Sequence, residues 1–243
     1  MYQEAINNYL KQHGHEKINL KAVLFDMDGV LFNSMPNHAS SWHKVMERMG
    51  FGLSEEEAYM HEGRTGADTI NIISRRERGC DATDEEIKAI YAAKSEEFNK
   101  CPEAPRMPGA WEVLNKIKDD GLTRMIVTGS GQVSLLDRLN KNFPGIFQKE
   151  LMVTAFDIKF GKPNPDPYLM ALGKGGLKPN EAIVIENAPL GVQAGVAAGI
   201  FTIAVNTGPL PDEVLWDAGA NLLFHSMPEF NENWEIVRKA LIG

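Results

Sequence analysis

Ala22-Val23-Leu24-Phe25-Asp26-Met27-Asp28-Gly29 is an apolar run that breaks abruptly into two carboxylates and a glycine. An uninterrupted run of this kind suits a parallel strand covered on both faces, and predicts a strand over 22–27. The carboxylates then fall where a buried strand emerges. In parallel sheets, ligands gather at the carboxyl ends of the strands. Asp-x-Asp-Gly alone could be a plain turn, because Asp and Gly suit turns for backbone reasons.

Working outward, residues 3–12 read as a short amphipathic helix before this strand. Beyond it, helical patterns dominate from about Asn37 to Cys101, over 38–49, 66–78 and 84–99. Thr83 is placed to cap the last of these, with Asp84, Glu85 and Glu86 in its first turn as the helix dipole favours. Met46 and Met49 read as core filling. Met35-Pro36 and the proline-rich stretch Pro102–Pro108 bracket this block like the hinges of an insertion. After Pro108 helix and strand alternate: helices over 109–120, 132–142, 165–173 and 189–198, strands over 123–127, 151–154, 182–186 and 201–205. An edge strand over 222–224 and a helix over 227–241 follow. Such alternation means βαβ units on a parallel sheet, an α/β fold. The expected organisation is a core of residues 1–34 and 108–243, with a helical domain of 35–107 inserted.

The 243 residues are 43% hydrophobic and 24% charged, ordinary for a soluble globular protein. A formal net charge of −8 argues against nucleic acid or an anionic membrane surface as partner. Cys80 and Cys101 supply neither a disulfide framework nor a metal quartet. Residues 1–20 are too polar for a signal peptide, and no apolar run is long enough to span a membrane. A cytoplasmic protein with neither nucleic acid nor membrane as partner is the resulting expectation, its oligomeric state open with a monomer slightly favoured.

Each core strand ends in a chemically useful group. The first ends in Asp26 and Asp28, and the second in Thr128-Gly129-Ser130. Gly161-Lys162-Pro163 follows the third, and the fourth ends in Glu186-Asn187. Taken singly, each has a bland reading: a turn, a local hydroxyl, a surface lysine, a solvated glutamate. Strand ends of one parallel sheet share an edge, so together they should meet in one cleft. Phosphoryl transfer needs that set: a nucleophile, donors and cations for the equatorial oxygens, and oxygen ligands for a hard metal ion.

The stretches Phe25–Leu31, Thr128–Ser130, Gly161–Tyr168 and Ile185–Gly191 resemble the four motifs of the haloacid dehalogenase superfamily, over nearly the whole chain after Leu20. The helical insert after the first motif is similar to that family's type C1 cap, and the nearest likeness is to the β-phosphoglucomutase-like branch. The resemblance implies a Rossmann-like, doubly wound parallel-sheet core with an inserted α-helical cap domain. It implies Asp26 as a nucleophile forming an aspartyl phosphate and Asp28 as acid and then base. Thr128 with the N–H groups behind it would hold the phosphoryl oxygens, and Lys162 would neutralise charge. Mg²⁺ would be held by Asp26, the carbonyl of Asp28 and the fourth motif, Glu186 or Asn187. Gly129, Ser130, Gln132, Arg64, His38 and Lys94 are the expected substrate contacts, while Trp42 reads as packing.

This chain has Glu186-Asn187 where the mutase branch usually has Glu-Asp, so the metal site lacks one negative charge. Glu62, in Met60-His61-Glu62-Gly63-Arg64-Thr65-Gly66, is the candidate to restore it as a metal ligand on closure of the cap. The cations that grip a second phosphate in the mutases are absent at Glu62, Gly66 and Gly131. A small phosphate-containing substrate follows, with inorganic pyrophosphate first, and the chain also looks like an inorganic pyrophosphatase offshoot of that branch. β-Phosphoglucomutase or a sugar-phosphate phosphatase is the alternative, and a catalytically silent binding protein of the same fold is the non-enzyme reading.

Overall fold

The structure, a computed structural model, describes residues 2–131 and 135–243, with only the backbone of Leu135 and Leu136. Helix α1 (Tyr2–His13) precedes strand β1 (Ala22–Phe25), which leads into α2 (Met35–Arg48), α3 (Glu55–Met60), α4 (Gly66–Arg78) and α5 (Asp84–Asn99). Helix and strand then alternate: α6 (Ala110–Asp119), β2 (Thr123–Val127), α7 (Leu135–Asn142), β3 (Met152–Val153), α8 (Asp166–Gly175) and β4 (Ala182–Glu186). Next come α9 (Pro189–Ala197), β5 (Phe201–Val205), α10 (Asp212–Asp217), β6 (Leu222–Phe224) and α11 (Met227–Ile242).

The strands form one parallel sheet in the order β3-β2-β1-β4-β5-β6, the doubly wound α/β arrangement expected. β1 is central, which is why all four of its residues are buried. Val23 and Phe25 face a cluster with Tyr9 of α1, Leu114 of α6 and Trp234 of α11. Ala22 and Leu24 face the other side, with Tyr168 of α8 and Ala194 of α9. Strand order reverses between β1 and β4, so the crevice beyond their carboxyl ends is the natural ligand position of such a sheet.

Some boundaries differ from the sequence expectation. β1 stops at Phe25, because the Met27 carbonyl accepts turn hydrogen bonds from the N–H groups of Leu31 and Phe32, and Gly29 turns at φ 83°. α2 begins at Met35, before the expected 38, and takes Pro36 into its first turn, where proline is tolerated. α3 and α10 were not expected; at six residues each they carry less than two turns of periodic signal. The helix expected over 132–142 is described from Leu135, and residues 132–134 lie outside the described residues.

Helices α2–α5 enclose a separate apolar cluster of Val45, Met46, Leu53, Ile70, Ile73 and Ile90. Met46 fills it, but Met49 does not: it follows α2 and is 43% exposed. The two connections to the sheet run side by side, with Met107 N–H donating to Leu31 O and Asn33 N–H to Pro105 O. α6, which leads into β2, begins after Gly109 at φ 81°, and a Cβ there would stand 2.6 Å from the backbone nitrogen of Pro228. Gly109→Ala therefore meets both a left-handed backbone and a main-chain clash. It should lower unfolding free energy by about 2 kcal/mol or more in urea titrations.

Candidate active site

Asp26 directly follows β1, Thr128 follows β2, and Glu186-Asn187 ends β4. Register brings them level: Phe25 pairs with Ile126 on one side and with Ile185 on the other. Lys162 enters from the loop between β3 and α8. Its ammonium donates to Asp26 Oδ1 at 2.5 Å, Glu186 Oε1 at 2.6 Å and the Val127 carbonyl at 3.0 Å. An ammonium has three donors, so these contacts satisfy it fully at 2% exposure. Burial raises Asp26 to about 8; Lys162 pulls it down, and Glu186 and Asp28 push it up. Burial would lower Lys162, but Asp26 and Glu186 outweigh it and raise the ammonium above its ordinary value.

Asp28 sits in a different setting. Ser34 Oγ donates to its Oδ1 at 2.5 Å, and His38 Nε2 lies 3.5 Å from the same oxygen. Burial would raise Asp28, but His38, Ser34 and Arg138 outweigh it and hold the group at about 2. On its other side His38 Nδ1 is 2.7 Å from Lys94 Nζ, and its ring packs on Phe98. Burial, then Lys94, lowers His38, so the neutral ring can accept from Lys94.

The loop after α3 descends onto the strand ends. A Cβ on Gly63 would be 2.9 Å from Lys162 Cδ, and one on Gly129 would be 3.1 Å from the Gly63 carbonyl. This approach brings Glu62 into the cleft, where Asn187 Nδ2 donates to both its carboxylate oxygens at 3.0 Å. Burial and the charges of Asp26, Glu186 and Asp28 raise Glu62 well above the carboxylate range, while Asn187 opposes them.

Among the described residues, no three His, Cys, Asp or Glu side chains converge as a metal cage. The donor set that suits a hard cation here is mixed. Asn187 Oδ1 is buried with no partner among the described residues, Asp26 and Glu186 share one ammonium, and the nearby charges of Asp26, Glu186 and Asp28 bear on Glu62. An orphaned oxygen beside closely spaced carboxylates fits an oxygen-preferring dication. Glu186, one of the expected metal ligands, has protein donors on both its oxygens. Oε1 accepts from Lys162 and, at 2.6 Å, from Tyr168; Oε2 accepts from Asn187 N–H at 3.2 Å.

The remaining expected residues surround a cavity of about 190 Å³ lined by Asp26, Asp28, Glu62, Lys94 and Thr128. That is below the roughly 300–1,000 Å³ of ordinary small-molecule sites. Ser130, Gly129, His38 and Arg64 also line it, and Arg64 Nε is buried without a partner among the described residues. Thr128 Oγ1 accepts from Ser130 N–H at 3.1 Å. Gln132 lies outside the described residues. Trp42 both packs in the helical cluster and lines the cavity. Lys94 is not a solvent-facing lysine: it is 6% exposed, between Trp42 and Phe98.

Sequence reasoning assigned no role to Ser34 or Tyr168. Ser34 precedes a helix like an N-cap, yet its side chain makes no capping bond and turns to Asp28. Tyr168 was visible within the third motif, but its bond to Glu186 joins side chains from two different elements.

A sequence profile of the haloacid dehalogenase-like hydrolases matches residues 23–205. The chain belongs to this family. It is a phosphoryl-transfer enzyme of the haloacid dehalogenase type, which disposes of the silent binding-protein reading. It is 34% identical over 188 residues to hexitol phosphatase A of Escherichia coli (strain K12), covering 76% of this chain and 83% of that one. It is 28% identical over 203 residues to a phosphorylated carbohydrates phosphatase of Thermotoga maritima, covering 83% and 92%. A solved structure from Bacteroides vulgatus, provisionally described as a beta-phosphoglucomutase, is 78% identical with a TM-score of 0.98, covering 100% of this chain and 98% of that one. The likeness to the β-phosphoglucomutase branch thus stands. These relatives favour the sugar-phosphate alternative over pyrophosphate, which none of them names.

Lys94 carries a measurable cost. Burial lowers it to about 8, against opposing pulls from Asp28 and Cys101, and no carboxylate among the described residues forms a salt bridge with it. Its folded pKa lies below the unfolded one, so the unfolded chain binds the extra proton from about 8 to 10.5. Stability from this group is therefore lowest below that window and rises with pH through it. Lys94→Met should gain on the order of 3 kcal/mol at pH 7. That gain should fade towards pH 10.5 in melts run as a pH series.

Proposed function

We propose that this enzyme is a Mg²⁺-dependent phosphohydrolase working through a phosphorylated Asp26, with helices α2–α5 serving as a cap over the strand ends. The observation that carries the reading is the ammonium of Lys162 shared between Asp26 and Glu186, beside a separately held Asp28. Asp26 is the nucleophile: its oxygen bonds to phosphorus as the bond to the leaving oxygen breaks. Asp28 gives that oxygen a proton. A phosphate dianion arriving beside Asp28 opposes the pull of His38, Ser34 and Arg138 and lets the carboxyl carry it. Asp28 then takes a proton from water as that water attacks phosphorus, releasing inorganic phosphate and restoring the Asp26 carboxylate.

Thr128, Gly129 and Ser130 hold the phosphoryl oxygens, and Lys162 offsets the charge that gathers on them. Arg64, His38 and Lys94 meet the remainder of the substrate from the cap side. Asp26, the Asp28 carbonyl, Asn187 Oδ1 and Glu62 are the groups suited to hold Mg²⁺. When bound, the ion supplies charge stabilisation to the transferring group. Glu62 answers for the charge that Asn187 lacks.

Kinship puts a phosphorylated sugar or polyol first as substrate. One observation favours inorganic pyrophosphate as a second reading: Glu62 occupies the cleft against Asn187, above a cavity of only about 190 Å³. Phosphate release should be measured on β-glucose 1-phosphate, glucose 6-phosphate, a hexitol 6-phosphate and pyrophosphate, with Mg²⁺ and then with chelator. β-Glucose 1-phosphate is also run with a bisphosphate activator to read mutase flux. Release that needs Mg²⁺ and vanishes in Asp26→Asn supports the hydrolase. Pyrophosphate outrunning every sugar phosphate tenfold in kcat/KM would select the second reading, and no release from the whole panel would sink both. Glu62→Ala should cost roughly 10–100-fold in Mg²⁺ affinity or activity; near-normal values in calorimetry and turnover would remove Glu62 from the metal site.

A further inference from the structure

Tyr168 is fully buried beneath the catalytic cluster, and its hydroxyl donates to Glu186 Oε1 at 2.6 Å. That oxygen also accepts from Lys162, at 2.6 Å. The Tyr168 ring lies under the ammonium, with Nζ 5.3 Å from its centroid. The Glu186 carboxylate lies against Gly191, where a Cβ would stand 2.0 Å from it. Burial and the charges of Glu186 and Asp26 raise the phenol well above its ordinary value, so it keeps its proton and stays a donor.

One oxygen therefore has two donors, a neutral hydroxyl and a charged ammonium, and the ammonium also serves Asp26. Hydrogen bonds to a charged carboxylate are stronger than neutral ones, and in a buried site they respond to one another. The phenol takes part of the Glu186 charge and so weakens that carboxylate's hold on Lys162.

We infer that Tyr168 is a positioning residue: through its bond to Glu186 it keeps the Lys162 ammonium aimed at Asp26 and the transferring phosphoryl group. This rests on the proposed roles of Asp26 and Lys162. Without the hydroxyl, Lys162 is the only side chain among the described residues left to satisfy Glu186 Oε1, and it is drawn away from the nucleophile. Ground-state contacts to the substrate do not involve Tyr168, so the loss falls on turnover.

Tyr168→Phe keeps the ring in the core and removes only the hydroxyl. Its kcat on the panel substrate that the wild type turns over fastest should fall roughly tenfold, the factor for one hydrogen bond to a charged group, with KM unchanged. In a Glu186→Gln background the same substitution should cost little more, since the neutral amide no longer competes for the ammonium. A crystal structure of Tyr168→Phe should show Lys162 Nζ displaced towards Glu186, with its contact to Asp26 lengthened. An unmoved ammonium would overturn the inference, as would equal losses in the two backgrounds or a fall in melting temperature that accounts for the lost activity. A wild type inactive on the entire panel overturns the functional reading instead, and the position of the ammonium then decides the inference alone.

Discussion

A single ammonium, that of Lys162, is held between two buried carboxylates and a backbone carbonyl, and the rest of the site depends on it. Removing such charges from water costs several kcal/mol per ion, so the arrangement survives only with each donor matched. Matching demands that three strand ends come within hydrogen-bond reach of one point. The sheet meets that demand through register, because pairing Phe25 with both Ile126 and Ile185 sets Asp26 level with Val127 and Glu186. The core beneath has no comparable task beyond rigidity, and it provides that with apolar packing on both faces.

Above this layer, glycine decides how near the helical block can come. Gly63 and Gly129 lie where a side chain would strike Lys162 or a backbone carbonyl, so two loops meet almost main chain to main chain. That contact carries Glu62 to Asn187 and encloses the cavity from above. The consequence is electrostatic. Four carboxylates lie close together at the strand ends, and burial raises two of them, Asp26 and Glu62. On the opposite wall Lys94 is held charged at a cost, against the neutral ring of His38. Groups held at such cost are more common where chemistry is done than where only stability is required.

Much of the fold was legible because its signals are local. The continuous apolar run of β1, the capped acidic start of α5 and the helix–strand rhythm after Pro108 each needed only neighbours in sequence. α5 and α4 match their expected bounds of 84–99 and 66–78. What was missed lacks that local signal: α3 and α10 are too short for periodicity, and Met49 lies on the solvent side just past the turn that buries Met46. Among site residues, Asp26, Thr128 and Lys162 could be named because each follows or ends a strand. Ser34 and Tyr168 could not, because their partners are fixed by where the elements lie in space.

The sequence by itself determined the family, the parallel sheet and the strand-end groups that meet at one edge, since residue type and spacing suffice for those. Only the tertiary structure decided how these groups share charge. It gave Glu186 to Lys162 and Tyr168, left Asn187 Oδ1 without a partner among the described residues, and brought Glu62 across from another part of the chain. It also buried Lys94 between Trp42 and Phe98. The reason is physical: a hydrogen bond or a desolvated charge depends on distances of a few ångströms between residues far apart in the chain, and sequence spacing does not contain those distances.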